Sequence, residues 1–230
     1  MSSAQGVAAV IPAAGRGERL KAGKPKPFVS ILGKPLLAHT LLALDRAYRF
    51  TEIIVAADSS RLDETVVLLR KYGLRKVRVV AGGATRAESV RNGVLSISSH
   101  CQWVLIHDAA RPLAGKALIR SILKGAQDTG AAICALPATA TVKKTDPRTK
   151  LILATENRDE LFLAQTPQVF RRDLLEARYQ TLGNKALHKT DEAALFDGSA
   201  VKVKIVPGEI SNLKITTSED IALFRYYLKK

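Results

Sequence analysis

The chain has little sulfur, few aromatic rings and a shortage of acid. Among its 230 residues there are two cysteines, Cys101 and Cys134. Without CxxC or Cys/His spacing they support neither a disulfide framework nor a zinc site, and both read as buried apolar residues. Aromatic residues make up 5% of the chain, and neither an RNA-binding aromatic motif nor a zinc-finger pattern occurs. No apolar run approaches the length of a membrane span, and Pro12 interrupts the apolar stretch nearest the N-terminus. These absences predict a cytoplasmic protein with no membrane partner. Asp and Glu number 21 against 36 Lys and Arg, a formal net charge of +15. Such an excess attracts anions, whether nucleic acid, acidic membrane or phosphorylated metabolites. The cations are spread along the chain rather than massed in a tail, so their local clusters suit small phosphates better than nucleic acid. The competing reading, a basic nucleic-acid-binding module without catalysis, predicts salt-dependent, sequence-indifferent binding to long polyanions and no turnover.

What the chain does have is concentrated near its start. Val7 to Ile11 is a short apolar run with the length of a buried strand. It empties into Pro12-Ala13-Ala14-Gly15-Arg16-Gly17, where small side chains let backbone N–H groups approach a ligand closely. Five cations follow, at Arg16, Arg19, Lys21, Lys24 and Lys26. Strand, bare turn and positive charge together suit a polyphosphate. The dinucleotide fingerprint G-x-G-x-x-G is excluded, because Leu20 stands where the third glycine must sit. The P-loop is excluded too, because Gly17 lies one residue too far from Gly23-Lys24 and Pro25 replaces the metal-binding hydroxyl. The glycines alone fit an ordinary strand-to-helix turn; the ordered cations shift the reading to a phosphate site.

Beyond this segment, apolar runs alternate with amphipathic ones. Strands are predicted at Val7–Ile11, Ile53–Ala57, Val77–Val80, Trp103–Ile106 and Ala131–Leu136. Helices are predicted near Leu36–Tyr48, Leu62–Tyr72 (closed by Gly73) and Lys116–Gln127, with another opened by the capping-box spacing Thr85-x-x-Glu88. This is the pattern of an α/β fold, Rossmann-like, with a mainly parallel sheet covered by helices on both faces. Ligands gather beyond the carboxyl ends of such strands, where Pro12–Gly17, Gly82-Gly83 and His107-Asp108 all fall. From about 137 to 157 the rhythm breaks into two strands around a turn at Asp146-Pro147, a protruding β-arm. A lone hairpin is marginal without a partner surface. A helix near Asp173–Leu182, strands at Val201–Val206 and Leu213–Ile215, and a helix at Glu219–Leu228 complete the expectation. Residues 1–230 are read as one domain plus the arm.

Several blocks carry a family resemblance. Ala13-Ala14-Gly15-x-Gly17-x-Arg19-Leu20 followed by Lys24-Pro25-Lys26 resembles the signature of nucleotidyltransferases that activate small phosphates. Ile106-His107-Asp108-Ala109-Ala110-Arg111-Pro112 is similar to the signature of the 2-C-methyl-D-erythritol 4-phosphate cytidylyltransferase family. Gly82-Gly83 with Arg86 and Ser89, Thr166-Pro167-Gln168, Thr190-Asp191-Glu192 and Asn212-Leu213-Lys214-Ile215-Thr216 follow in the same order, end to end.

The resemblance implies transfer of a cytidylyl group from CTP to a small polyol phosphate, methylerythritol 4-phosphate rather than ribitol 5-phosphate, in non-mevalonate isoprenoid synthesis. It also implies Mg²⁺ and a homodimer in which the arm completes the partner's site. A phosphate oxygen is already nucleophilic at neutral pH, so such a reaction needs placed cations rather than a nucleophilic triad. By resemblance Arg19 and Lys26 stabilise the transition state and the leaving pyrophosphate, while Arg158 and Lys214 hold the attacking phosphate. Ala13, Ala14, Gly15, Gly83 and Ser89 would receive the nucleotide; Asp108, Arg111, Thr141, Thr166 and Thr190 would receive the second substrate. Asp108, a carboxylate just after a buried strand in a cation-rich region, is the metal candidate; it can also pair with Arg111. His107 reads as a hydrogen-bonding residue at a strand end, and Thr190 as a possible helix N-cap. Ala84 and Ala140 stand where aspartates are common in the family, which touches nucleotide and arm contacts rather than the reaction class.

Overall fold

The computed structural model describes residues 6–15, 24–98 and 100–229. Of the predicted site, Arg19 lies outside the described residues, as do Arg16, Gly17 and Lys21.

In chain order the strands of the main sheet and the helices are β1 (Gly6–Ala13), α1 (Leu36–Ala47), β4 (Glu52–Ala57), α2 (Leu62–Lys71), β5 (Val77–Ala81), α3 (Arg86–Leu95), β6 (Cys101–Ile106), α4 (Lys116–Thr129), β7 (Ala131–Pro137), β10 (Phe162–Arg171), α5 (Arg172–Leu182), β11 (Lys204–Pro207) and α6 (Ser218–Tyr227). Two small hairpins, β2 (Ser30–Ile31) with β3 (Lys34–Pro35) and β8 (Lys143–Thr145) with β9 (Ile152–Thr155), form separate two-stranded sheets. The seven-stranded sheet runs β11-β7-β10-β6-β1-β4-β5. All its pairings are parallel except those of β10, which is antiparallel to both β6 and β7.

Central strands buried on both faces account for the continuous apolar runs. Along β1, Val7, Ala9 and Ile11 enter one core with Leu37, Leu41 and Leu44 of α1, Leu68 and Leu69 of α2, and Ile119 and Ile122 of α4. Ala8 and Val10 enter the other, with Val90 and Val94 of α3 and Leu175 and Tyr179 of α5. The period of two thus sends alternate residues into two helical layers. The helix termini follow their sequence signals. Thr85 accepts from the Glu88 N–H, while the Glu88 carboxylate accepts from Ala84 rather than from the cap residue itself. Gly73, at φ 69°, ends the α2 turn in the left-handed region that favours glycine. Both cysteines are free and buried.

Three elements differ from expectation. The long strand β10 is not predicted at all, because Pro167 and the polar run Gln165-Thr166-Gln168 interrupt its alternation. The sheet accommodates them at a register shift between Ala164 and Gln168, where a proline is tolerated. The segment Leu213–Ile215 forms no strand; Ile215 makes one backbone bond to Ala110 and is buried with Ile31, Leu36 and Phe224. Its apolar character serves packing rather than a ladder. The last strand begins at Lys204, so the Val201–Val206 prediction overlaps it only in part. Between Pro137 and Phe162 the β8–β9 hairpin stands as expected, with Leu151, Ile152 and Leu153 each more than 60% exposed.

Candidate active site

The order β5-β4-β1-β6 places a change of winding direction beside β1, and a crevice opens beyond the carboxyl ends of the strands there. Its cavity, about 290 Å³, is lined by Ala13, Ala14 and Gly15 after β1, by Gly83 to Arg86 after β5, and by Asp108 to Ala110 after β6. Pro12, Lys26, Pro27, Leu36, Ser89 and Lys214 complete the lining.

Small residues are needed where the β1 and β5 loops meet. A Cβ on Gly82 would lie 2.8 Å from the Ala14 Cβ, and one on Gly83 would lie 2.3 Å from Glu88 Cγ. The Ser89 hydroxyl accepts from the Gly83 N–H at 3.0 Å and lies 2.9 Å from the Thr85 carbonyl oxygen. It therefore fixes the loop between β5 and α3 from below. The loops carrying the cations are tied to a third, smaller core. Val29, three residues after Lys26, and Ile215, next to Lys214, are both buried there against Phe224 of α6. Asp220, at the start of α6, accepts from the N–H groups of Thr216 and Thr217 and so holds the same loop.

Asp108 is the electrostatic centre. Its Oδ1 accepts from Arg86 Nε at 3.0 Å, and its Oδ2 lies 2.7 Å from Lys214 Nζ and 3.9 Å from Arg111 Nε. Burial would raise its pKa, but the charges of Arg86 and Lys214 outweigh that and hold the carboxyl well below the usual range. Arg86 in turn grips Glu192, with Nη1 at 3.0 and 3.1 Å from the two carboxylate oxygens and Nη2 at 3.1 Å from the second. Glu192 is buried, which pushes its carboxyl upward while Arg86 opposes the shift. Asp108 is the one carboxylate lining the crevice among the described residues. Those residues contain no cluster of three or more His, Cys, Asp or Glu able to cage a metal. A single carboxylate still fits Mg²⁺, which keeps several waters and takes its remaining ligands from substrate phosphates.

Behind Asp108 lies a closed hydrogen-bond chain. The Asp108 N–H donates to Thr166 Oγ1 at 2.9 Å, and that hydroxyl lies 3.2 Å from His107 Nδ1. His107 Nε2 is 2.9 Å from the Arg111 carbonyl. A carbonyl only accepts, so Nε2 carries the proton and Nδ1 accepts from Thr166. The ring is fully buried and burial lowers its pKa to about 4, keeping it neutral, as expected of a strand-end hydrogen-bonding residue. Arg111 Nη1 donates to the Asn212 carbonyl at 2.7 Å, and Asn212 Nδ2 donates to the Thr166 carbonyl at 2.8 Å.

The structure therefore brings together Ala13, Ala14, Gly15, Lys26, Gly83, Ser89, Asp108 and Lys214 around one crevice. Arg111 and Thr166 sit immediately behind it, buried and bonded within the chain. Thr141, Thr190 and Arg158 are exposed and do not line it. Arg158 donates to the Thr139 carbonyl across the base of the arm. Thr190 does not act as a cap; the side chain of Asp191 accepts from the Ala194 N–H instead. Sequence reasoning gave no role to Arg86 or Glu192. They stand 106 residues apart in the chain, and the one available signal was that both lie within blocks matching the family pattern.

A Rossmann-like sheet with a small-residue cleft, one lining carboxylate among the described residues and converging cations is the arrangement expected of nucleotidyltransferases. A family model described as 2-C-methyl-D-erythritol 4-phosphate cytidylyltransferase matches residues 7–230. The chain belongs to that family. It is 40% identical over 227 residues to the 2-C-methyl-D-erythritol 4-phosphate cytidylyltransferase of Haemophilus influenzae KW20, covering 99% of this chain and 98% of the relative. It is 36% identical to a "Bifunctional enzyme IspD/IspF" of Desulfotalea psychrophila, covering 97% of this chain but 57% of that longer protein. Among solved structures, the 4-diphosphocytidyl-2C-methyl-D-erythritol synthase of Anaerococcus prevotii superposes with a TM-score of 0.85 at 32% identity, covering 99% of this chain and 100% of the other. The 2-C-methyl-D-erythritol 4-phosphate cytidylyltransferase of Francisella tularensis gives 0.81 at 30% identity, covering 96% and 99%.

Proposed function

We propose that this chain joins CTP to 2-C-methyl-D-erythritol 4-phosphate, forming 4-diphosphocytidyl-2-C-methyl-D-erythritol and pyrophosphate. The observation that carries the reading is the convergence of Lys26, Lys214 and Asp108 on the Ala13–Gly15 crevice, in a chain matched by the family model over residues 7–230. A phosphate oxygen of the polyol phosphate attacks the α-phosphorus of CTP. The bond from that phosphorus to the α–β bridging oxygen breaks, and pyrophosphate leaves with the electron pair. No proton must be removed from the nucleophile, so catalysis consists of bringing two anions together and compensating the charge that moves onto the leaving group.

In this reading the Ala13–Gly15 backbone, Gly83 and Ser89 receive the cytidine, and the narrow Ala/Gly walls disfavour a purine. Lys26 faces the triphosphate, with Arg19 assigned beside it by the family pattern. Pro25 and Pro27 flank Lys26 and restrict its loop, lowering the ordering cost of presenting the ammonium. Asp108 would hold Mg²⁺, which when bound supplies charge neutralisation at the triphosphate oxygens. Lys214, whose ammonium lies 2.7 Å from Asp108 Oδ2, would hold the incoming polyol phosphate. Thr141 and Arg158, at the exposed base of the arm, would serve the crevice of a second copy in a homodimer. Arg111 and Thr166 act from behind, through the orientation of Asp108.

The test is pyrophosphate release from CTP and Mg²⁺ with methylerythritol 4-phosphate, with ribitol 5-phosphate, or with no acceptor. Release with methylerythritol 4-phosphate alone is expected. Release with ribitol 5-phosphate alone would overturn the acceptor, and silence with both acceptors would overturn the activity.

A further inference from the structure

Glu192 is more than fifteen residues from any other acid or base of the crevice in sequence, yet it is 2% exposed beside it. A buried carboxylate is costly unless compensated, and a simple structural role would be filled more cheaply by an apolar side chain. Among the described residues its ion-pair partner is the guanidinium of Arg86, gripped through both terminal nitrogens. The other edge of the same guanidinium carries Nε to Asp108 Oδ1 at 3.0 Å. An arginine whose end-on edge is fixed has no freedom left in its plane. Arg86 is itself 28% exposed at the side chain and lines the cavity with Gly83, Thr85 and Ser89. Glu192 thereby determines where a cavity-wall cation points, while Asp108 is held independently by Thr166 and Lys214.

The same arrangement sets the charge of the site. Arg86, Lys214 and Arg111 surround Asp108. Taking formal charges, the second carboxylate lowers the excess of this cluster by one unit. With Glu192 neutral, Asp108 would be the one remaining acid partner of Arg86 among the described residues, and Arg86 would be drawn further onto it.

We infer that Glu192 is a positioning residue for nucleotide binding, acting on CTP through Arg86 without touching it. The inference rests on the reading of this crevice as the CTP site. It predicts that neutralising Glu192 weakens CTP binding and leaves the polyol phosphate side largely alone.

The experiment is a double-mutant cycle on the intact chain, with Arg86→Met, Glu192→Gln and the double variant. CTP affinity is read by titration calorimetry with Mg²⁺ and no acceptor, and the melting temperature is read alongside. The expected result is that Glu192→Gln weakens CTP binding on the order of tenfold in the native background and about twofold or less when Arg86 is already Met. Glu192→Asp keeps the charge with a shorter reach and should retain more CTP affinity than Glu192→Gln. Where activity is measured, KM for CTP should rise while KM for the polyol phosphate stays within about twofold. Equal loss of affinity in both backgrounds would overturn the inference. So would unchanged CTP affinity in Glu192→Gln, or a Glu192→Asp variant no better than Glu192→Gln. Should Glu192→Gln fail to fold, Glu192→Asp against native decides it: affinity lost without change in polyol phosphate KM supports the inference, and unaltered affinity overturns it. Native protein that binds CTP without turnover would instead count against the proposed reaction, and native protein that binds no CTP would remove the site itself.

Discussion

The crevice and the arm are built on opposite terms. Around Asp108 most polar groups are answered from within the chain: Arg86 by Glu192, the backbone N–H by Thr166, the imidazole by the Arg111 carbonyl, while Arg111 Nε and Asn212 Oδ1 are buried without a hydrogen-bond partner among the described residues. The β8–β9 hairpin satisfies its polar groups locally, Lys143 donating to Thr155 and the Asp146 carboxylate accepting from Arg148 and Thr149, but leaves its apolar side chains uncovered. Its strands pair with each other, every residue of both is exposed, and Leu151, Ile152 and Leu153 face solvent. Two strands with apolar side chains and no covering layer do not make a stable unit on their own. The difference separates a region the chain completes by itself from one that calls for another surface. It also separates the residues assigned to CTP, which lie in the first region, from Thr141 and Arg158, which lie in the second.

The contrast can be broken most forcefully at Lys26. Lys26→Ala should lower turnover by on the order of 10²–10³, with CTP affinity nearly kept; steady-state rates with parallel calorimetry decide it, and unaltered turnover would remove Lys26 from catalysis. Next in size is the arm. Ile152→Asp combined with Leu153→Asp should leave a folded chain, since within one copy both side chains are exposed. The same protein should sediment as one copy where the native protein sediments as two, and lose most of its activity. A native protein already single in sedimentation velocity would refute the dimer.

Arg158→Ala should raise KM for the polyol phosphate on the order of tenfold while CTP binding stays close to native. Loss of CTP binding alone would put Arg158 in the wrong half of the comparison. The last prediction concerns folding rather than turnover, in the chain behind Asp108. His107 titrates near its ordinary pKa when unfolded and at about 4 when folded, so between those values the unfolded state holds the extra proton. Stability from this group is therefore full above pH 6.5 and declines as the pH falls toward 4. Denaturant melts should show a native-minus-variant difference for His107→Asn that shrinks by about 3 kcal/mol over that window; a difference independent of pH would exclude the buried neutral ring.

The sequence carried the alternation of the sheet because parallel central strands are apolar on both faces, and Val7–Ile11, Ile53–Ala57 and Trp103–Ile106 announce themselves by run length. It carried the crevice because motif residues fall at the ends of those strands. Strand β10 stayed hidden for a local reason: Pro167 and its polar neighbours break both periodicities, and only the sheet on either side makes that segment extended. Leu213–Ile215 misled for the converse reason, since apolar residues beside a site can fill a small core without entering a ladder. The Arg86–Glu192 pair is a tertiary fact with no periodicity to betray it.

Strand β10 also sets where the gene can change length. It runs from the base of the arm into the centre of the sheet, and its consecutive residues Val169 and Phe170 belong to different cores. Residues added at the hairpin tip, around 147–149, are absorbed by an exposed turn. One residue added between Gln168 and Val169 would exchange those two side chains between the layers, because a slip of one inverts every face. Insertions and deletions among descendants of this chain should therefore gather at the tip of the arm and be absent from Gln168–Arg171, twenty residues further along the same polypeptide.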